Sequence, residues 1–418
     1  MMQPFKTRRW IFLGLCAAAC CAPAAFASNW PRFRGPNGTG ISADKDVPVE
    51  WTDKNVLWKT ALPGVGNSSP VVWGDRVFIQ SATADGTQRL LLCLGAADGK
   101  VLWSRSASGS RAHTHDRNTL ASSTPATDGK RVYALFWDGT DLALSAYYFG
   151  GDKAWTQDLG GFTSQHGAGA SPIVCDGKVI LANDQDGSSE LLAFDAVSGK
   201  PAWRAPRKAF RTCYSTPFVL ERRHQAKQLI VASTAGVTSY DPAKGAENWA
   251  WTWRFSGMAL RTVASPLYSR GMIFATSGDG SGARDMVALK IGAKEGVTKA
   301  WQNKHSLPYV PTMLTSGEHL YWVNDHGVAG CQVAATGDVV WTKRLGEPVT
   351  ASPVLIDGKI YVVGEAGNVH VFRAAPVFKR LAKNAVGEAV MASPAVADNR
   401  LFIRGRQHLF CVSKAPGK

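Results

Sequence analysis

The sequence lacks the short motifs that mark the common enzyme classes. It contains no nucleophile elbow, no zinc-binding spacing and no nucleotide-binding fingerprint, so no catalytic and no metal-ligating residue is predicted. Acidic residues are few: 32 Asp and Glu stand against 47 Lys and Arg, which gives a formal net charge of +15. This excess suits anionic envelope surfaces or glycans, or serves solubility alone, and no motif for nucleic-acid binding accompanies it.

Cysteine is sparse and scattered. Three of the eight cysteines, Cys16, Cys20 and Cys21, lie in the first 27 residues. The five others stand singly, at Cys93, Cys175, Cys213, Cys331 and Cys411. An odd number of isolated cysteines is not the pattern of a disulfide framework, and we expect these five to pack in the core.

The first 27 residues have the pattern of an export signal. A basic start with Lys6, Arg8 and Arg9 precedes an apolar run, and Ala25-Phe26-Ala27 is a small-x-small cleavage site. We therefore predict a signal peptide at 1–27 and an exported, periplasmic protein. A lipid anchor at Cys20 or Cys21 is the less favoured alternative, since no Leu stands three residues before Cys20.

A Pro/Gly-rich segment follows, at 28–54, with little periodicity. Such segments lie extended over a scaffold, and Trp30, Phe33 and Trp51 are the side chains expected to dock it there.

The rest of the chain is built from one repeated pattern. The stretch from Ala170 to Trp203 has a Ser-Pro pair, three short apolar runs separated by turns, and a last strand that ends on Trp203. This predicts four short antiparallel strands. The proline near the start of each unit recurs every 41 to 55 residues, at Pro70, Pro125, Pro172, Pro217, Pro266, Pro311, Pro353 and Pro394. Eight units of this length are typical of a β-propeller.

The last unit predicts how the ring closes. After Pro394 the sequence contains only three strands, and the fourth, Trp-bearing strand is missing. The N-terminal run Asn55 to Lys59 carries the same Val-Leu-Trp as Val101 to Trp103. We therefore predict an all-β, eight-bladed propeller over residues 55–418, with its last blade completed by an N-terminal strand.

The repeat resembles that of quinoprotein-like β-propellers. The Ser-Pro pair and the later Asp-x-x-(Ser/Thr)-Gly-Lys-x-x-Trp, repeated through residues 55–418, are similar to their tryptophan-docking repeat. The stretches at 30–40, 115–125, 307–312 and 401–412 look like those of exported PQQ-binding-like propeller proteins. These are related to the lipoprotein scaffold of the outer-membrane β-barrel assembly machinery. The resemblance implies a fold and an envelope location more than an activity.

The candidate ligand site is the mouth of the central channel. The loops that lead into the innermost strands, which surround a propeller's channel, carry cationic or potentially cationic groups on four consecutive blades. The residues expected at this mouth are His115, Arg117, Asn118, His166, Arg211, Arg261 and Tyr309. If they converge, they form an anion-binding site; otherwise they cap strand ends or form surface ion pairs.

The favoured function is a non-catalytic binding or scaffold propeller, a monomer peripheral to the membrane at most, that presents its mouth to a protein or an anionic envelope ligand. No cofactor is expected. One alternative is a PQQ-dependent oxidoreductase with Ca²⁺, but quinoprotein alcohol dehydrogenases use adjacent cysteines, which occur here only within the predicted signal. Another is a glycan-binding propeller that stacks sugars on Trp137, Trp251, Trp253 or Trp322.

Overall fold

The computed structural model describes residue 1 and residues 28–255, 257–292, 296–304 and 307–414. The predicted signal peptide, with the possible lipidation sites Cys20 and Cys21, falls almost entirely outside the described residues. No helix in the described part of the chain is long and apolar enough to cross a membrane.

The strands form eight sheets of antiparallel neighbours, which we number as blades in chain order. Two strands precede the first complete blade: β1 (Ile41–Ser42) and β2 (Val56–Ala61). Blades 1 to 4 are β3 (Val71–Trp73), β4 (Arg76–Ala82), β5 (Gln88–Gly95), β6 (Val101–Ser108); β7 (Ala126–Thr127), β8 (Arg131–Trp137), β9 (Asp141–Tyr148), β10 (Lys153–Gly161); β11 (Ile173–Cys175), β12 (Lys178–Asn183), β13 (Ser189–Asp195), β14 (Pro201–Arg207); and β15 (Phe218–Leu220), β16 (Gln228–Ala232), β17 (Gly236–Tyr240), β18 (Glu247–Thr252).

The remaining four blades have the same form. They are β19 (Leu267–Ser269), β20 (Met272–Gly278), β21 (Arg284–Ile291), β22 (Val297–Asn303); β23 (Leu314–Ser316), β24 (His319–Val323), β25 (Val328–Val333), β26 (Val339–Arg344); β27 (Val354–Ile356), β28 (Lys359–Val363), β29 (Asn368–Arg373), β30 (Arg380–Ala385); and β31 (Ala395–Ala397), β32 (Arg400–Arg404), β33 (His408–Val412) completed by β2. Two short 3₁₀ segments, Pro36–Gly38 and Asp53–Asn55, precede β1 and β2. The predicted all-β, eight-bladed propeller is confirmed.

The predicted ring closure is also confirmed. Strand β2 pairs antiparallel with β33, with Trp58 opposite Cys411. The seam between blade 8 and blade 1 is held in addition by the buried Arg404, whose guanidinium donates to the carbonyl oxygens of Gln80 and Ser68. Burial lowers the pKa of Arg404 to about 9, which still leaves the group charged at neutral pH.

Tryptophans on the outermost strands clamp six of the eight blades to the next one. Six indole N–H groups donate to backbone carbonyls of the following blade at 2.8–3.2 Å: Trp58 to Ala96, Trp103 to Phe149, Trp155 to Ala196, Trp203 to Pro242, Trp301 to Ala334 and Trp341 to Ala375. The ring of Trp155 lies against Gly199, where φ is +72° and an added Cβ would come within 2.5 Å of the indole. Glycine is therefore required in that turn.

Blade 7 has no tryptophan on its outermost strand, because Ala382 stands opposite Val371 where Trp203 stands opposite Ala193 in blade 3. The N-terminal segment compensates for this. Trp51 belongs to the hydrophobic cluster that Ala382 packs against, and the backbone N–H of Trp51 donates to Asn384 Oδ1 at 2.9 Å.

A second set of contacts links the blades around the channel. The residue before the first-strand proline is Ser or Thr, and its hydroxyl accepts the backbone N–H of its counterpart in the preceding blade. Six such bonds of 2.8–3.0 Å are Ser69 to Thr124, Thr124 to Ser171, Thr216 to Ser265, Ser265 to Thr312, Thr312 to Ser352 and Ser352 to Ser393. We call this set the hydroxyl ring. In blade 6 the position after it holds Met313 rather than Pro311, which lies two residues earlier in the chain.

The first part of the N-terminal segment does not lie over the outer surface of the propeller, as the sequence predicts, but inside the channel. It crosses the channel below the hydroxyl ring: Arg32 donates to the Pro217 carbonyl of blade 4, and Arg34 to the carbonyls of Met313 and Pro353 at the starts of blades 6 and 7. Strand β1 then adds to blade 7 as a fifth, parallel strand. Trp30 and both arginines are buried. The segment closes one end of the channel, and we call it the plug.

Removal of the Trp58 side chain tests the closure. Trp58→Ala deletes a buried indole and its inter-blade hydrogen bond, so the free energy of unfolding is expected to fall by about 3–5 kcal/mol. Urea denaturation followed by tryptophan fluorescence measures the loss. Leu57→Ala on the exposed neighbour is the control, and equal midpoints for both variants would contradict the assignment of β2 as the closing strand.

The plug is tested at Arg34. Arg34→Ala leaves the carbonyls of Met313 and Pro353 without this donor, at an expected cost of about 3 kcal/mol in the free energy of unfolding. Arg373→Ala, on an exposed arginine whose side chain makes no hydrogen bond within the described residues, is the matched control. Urea midpoints that agree between the two variants would show that the segment does not hold the ring together.

Candidate functional site

A polar cavity of about 530 Å³ lies in the channel above the plug. Its lower part is lined by Phe33 of the N-terminal segment and by hydroxyls of the ring, among them Thr124, Ser171 and Ser352. Its mouth is formed by the loops that lead into the innermost strands and by the turns between second and third strands. Because the segment closes the opposite end, a ligand reaches this cavity from the mouth.

The structure brings the predicted site residues together. Six of them line the cavity: His115, Arg117, Asn118, His166, Arg211 and Tyr309. Arg261 lies behind the lining, only 2% exposed, and reaches Gln165 at the mouth through Nη2 at 2.9 Å. These side chains lie on one face of the disc, because each loop enters the first strand of its blade from that face.

Asn118 has a structural task in addition to lining the cavity. Its Nδ2 donates to the carbonyl oxygens of His166 at 2.7 Å and Ala168 at 3.1 Å. These bonds join the loop before blade 2 to the loop before blade 3. The alternative of capping backbone carbonyls therefore describes this residue.

The mouth is not uniformly cationic, because acidic residues that the sequence analysis missed lie across it. Arg117 is 3.2 Å from Glu365 Oε1 and 3.7 Å from Asp325 Oδ1, and Arg284 is 3.5 Å from Asp325 Oδ2. Asp325 also accepts the backbone N–H of Tyr309 at 3.1 Å. Two arginines of the mouth are therefore neutralised on this side. Each of the two acids follows the second strand of its blade. The repeat pattern in the sequence does not distinguish this position from other turn positions.

The opposite side of the mouth carries two arginines that no carboxylate of the described residues contacts directly. Arg211 Nη2 lies 3.4 Å from Gln165 Oε1, and Arg261 Nη2 shares the same oxygen. Within the described ranges no carboxylate oxygen lies within 4 Å of either guanidinium. This half of the mouth is the cationic site that the sequence predicts.

The pKa of His166 is affected by the positive charges on that side. Its ring packs edge-on against His115, with ring centroids 4.9 Å apart. Burial, together with the charges of Arg261, His115 and Arg211, lowers the pKa of His166 to about 4. His166 is therefore neutral at pH 7, and a negative charge brought near it is favoured.

The residues present do not fit a calcium-bound quinone. Among the described residues no group of three or more His, Cys, Asp or Glu is placed to hold a metal ion. Of the acids at the mouth, Asp325 and Glu365 are paired with arginines, and Asp279 accepts N–H and O–H groups of its own turn. The five cysteines that follow the predicted signal are free and buried, and burial raises the thiol pKa of Cys93 to about 11 and of Cys411 to about 12.

Three of the four tryptophans expected to stack sugars are unsuitable for that role. Trp137, Trp253 and Trp322 are buried, so their faces pack inside the propeller. Trp251 is half-buried and packs edge-on against Trp253, with ring centroids 4.9 Å apart. The expectation that Trp137, Trp253 and Trp322 offer platforms is wrong, because second-strand and outer-strand aromatic residues fill the space between blades.

Solved structures of similar shape include a BamB protein and two dehydrogenases. BamB from Moraxella catarrhalis has 14% identity and a TM-score of 0.64, over 85% of this chain and 99% of that chain. Quinohemoprotein alcohol dehydrogenase from Comamonas testosteroni has 13% identity and a TM-score of 0.68, over 94% and 81%. A europium-containing methanol dehydrogenase has 11% identity and a TM-score of 0.57, over 91% and 90%. Identities this low show a shared fold alone.

Sequence comparison separates these relatives. No curated protein sequence matches the chain. The family model described as outer membrane protein assembly factor BamB matches residues 35–147, 143–292 and 293–376, which is most of the propeller. The chain therefore belongs to the family of outer membrane protein assembly factor BamB.

Proposed function

We propose that this protein is an exported, non-catalytic scaffold of the bacterial cell envelope, and that it binds a protein partner or an anionic ligand at the mouth of its channel. The observation that carries the proposal is the one-ended cavity, with two guanidinium groups on one side of its mouth that have no acidic partner within the described residues. Such a site favours a ligand that brings negative charge.

The lower wall of the cavity supports the same kind of ligand. Each hydroxyl of the ring accepts a backbone N–H and keeps one O–H donor of its own. Several of these hydroxyls line the cavity, including Thr124, Ser171, Ser352 and Ser393. Each of these hydroxyls can therefore offer its O–H to the cavity, and a ligand that carries acceptor oxygens can bind there.

The family supports a protein as the partner. Its description names outer membrane protein assembly, which takes place among envelope proteins. A rigid disc with loops gathered on one face suits a scaffold, because the blades fix the loops relative to one another. The proposed periplasmic location follows from the family and from the export pattern of the N-terminus.

The proposed role needs no metal or cofactor. A quinone-dependent oxidation is less well supported, since Asp325 and Glu365 are paired with arginines and the described residues contain no cluster of three His, Cys, Asp or Glu that could hold a metal ion. Retention of sugars on tryptophan faces is likewise less well supported, because three of the four rings in question are buried.

Co-purification from the envelope of the native host tests the proposal. The tagged wild-type protein is expected to retain components of the outer-membrane assembly complex, quantified by mass spectrometry. Arg211→Ala combined with Arg261→Ala is expected to reduce retention at least tenfold, a loss of about 1.4 kcal/mol in binding free energy. Arg204→Ala, on a half-exposed arginine of an outermost strand, is the control and is expected to retain the wild-type amount.

Two results would contradict this function. One is unchanged retention in the double variant, provided its urea midpoint shows that it folds. The other is saturable, micromolar or tighter binding of PQQ in the presence of Ca²⁺, followed by tryptophan fluorescence and calorimetry, which would favour the oxidoreductase.

A further inference from the structure

A neutral side chain lies between the two unpaired arginines of the mouth. Gln165 Oε1 is 2.9 Å from Arg261 Nη2 and 3.4 Å from Arg211 Nη2. Its amide nitrogen donates to no group in the described part of the chain, and the side chain is exposed. One oxygen of an uncharged amide thus provides the only hydrogen-bond acceptor that the two guanidinium groups share.

The charge of Arg261 is left poorly compensated by this arrangement. The residue is 2% exposed, and its Nε and Nη1 have no hydrogen-bond partner among the described residues. The nearby carboxylate of Asp186 is committed to the backbone N–H groups of Gln165 and Thr212, at 2.8 Å each. The Asp186 carboxylate keeps its charge but does not contact the Arg261 guanidinium within 4 Å, so an anion that replaces the amide would give Arg261 a direct charged partner.

Three other arginines of the propeller have a carboxylate partner. Arg207 is buried and forms a two-point ion pair with Asp184, at 2.7 and 3.0 Å. Arg117 and Arg284 each approach Asp325. Among these five arginines, Arg211 and Arg261 are the two that face an amide where the others face a carboxylate.

We propose that a protein partner supplies a carboxylate group at this site. The carboxylate displaces the side-chain amide of Gln165 and binds Arg211 and Arg261 in its place. A side-chain amide and a carboxylate have the same planar shape, so the position already accommodates the geometry of the proposed ligand. This assignment rests on the proposed function and names the chemical group that the mouth recognises.

The rim of the site favours a protein as the source of the carboxylate. Phe210 is 64% exposed and Met258 is 72% exposed, and Met258 Sδ lies 3.3 Å from Arg211 Nη1. Apolar side chains next to an unpaired arginine match a carboxylate that is flanked by apolar residues, as at the end of a peptide. An acidic sugar offers hydroxyls there instead.

A variant that supplies the carboxylate internally gives the first test. Gln165→Glu is expected to raise the melting temperature by about 1–2 °C at pH 7, because the new carboxylate pairs with both arginines. Gln88→Glu makes the same charge change on an exposed residue of β5 whose side chain has no described hydrogen bond, and is expected to leave the melting temperature unchanged. In an Arg211→Ala background the gain from Gln165→Glu is expected to shrink at least twofold.

Soluble probes test the ligand at constant ionic strength. Acetate, and the peptide acetyl-Ala-Leu-Ala-Leu with a free C-terminal carboxylate, are expected to raise the melting temperature of the wild type, the peptide at lower concentration. The C-terminal amide of the same peptide is expected to have no effect. Gln165→Glu is expected to abolish both shifts. Phosphate as effective as acetate, or galacturonate effective where the peptide fails, would overturn the proposal.

The two proposals fail separately. If the wild type retains envelope partners and Gln165→Glu retains them equally well, the carboxylate site is refuted while the scaffold function stands. If Gln165→Glu gains stability and the peptide acid binds, but the double arginine variant co-purifies with its partners as the wild type does, the site stands and the scaffold function at the mouth is refuted.

Discussion

The fold depends on hydrogen bonds that run from blade to blade around the channel. In six of the eight blades a Ser or Thr before the first strand has a hydroxyl that accepts an N–H of the preceding blade, as Ser171 does for Thr124. A four-stranded sheet cannot bury both of its faces alone, so the blades are stable only when stacked. The hydroxyl ring fixes their stacking at the inner edge, and the tryptophan clamps fix it at the outer edge.

The N-terminal segment turns the channel of this ring into a cavity. Arg32 and Arg34 supply donors to carbonyl oxygens where the innermost strands begin, and these oxygens would otherwise face an apolar floor without partners. The same segment covers blade 7, whose outermost strand has no tryptophan, through Trp51. Closure at one end concentrates the ligand-accessible polar groups at the other.

Charge pairing divides the mouth into two halves with different roles. On one half Asp325 and Glu365 hold Arg117 and Arg284, and these pairs tie loops of distant blades together. On the other half Arg211 and Arg261 share the oxygen of Gln165. The unpaired half carries the binding function that we propose, because its two arginines have no directly bonded carboxylate within the described residues.

The sequence by itself determined the number of blades, the four strands of each and the closing strand that carries Trp58, because turn residues, apolar alternation and docking tryptophans are local and recur with the repeat. It also placed Arg211 and Arg261 at the mouth, since their distance from the first-strand proline is a matter of counting. Only the tertiary structure decided which charges are paired. Arg117 meets Glu365 across the channel, far apart in the chain, and the plug meets blades 4, 6 and 7 at once. Contacts across a closed ring depend on its diameter and on side-chain direction, which no repeat pattern encodes.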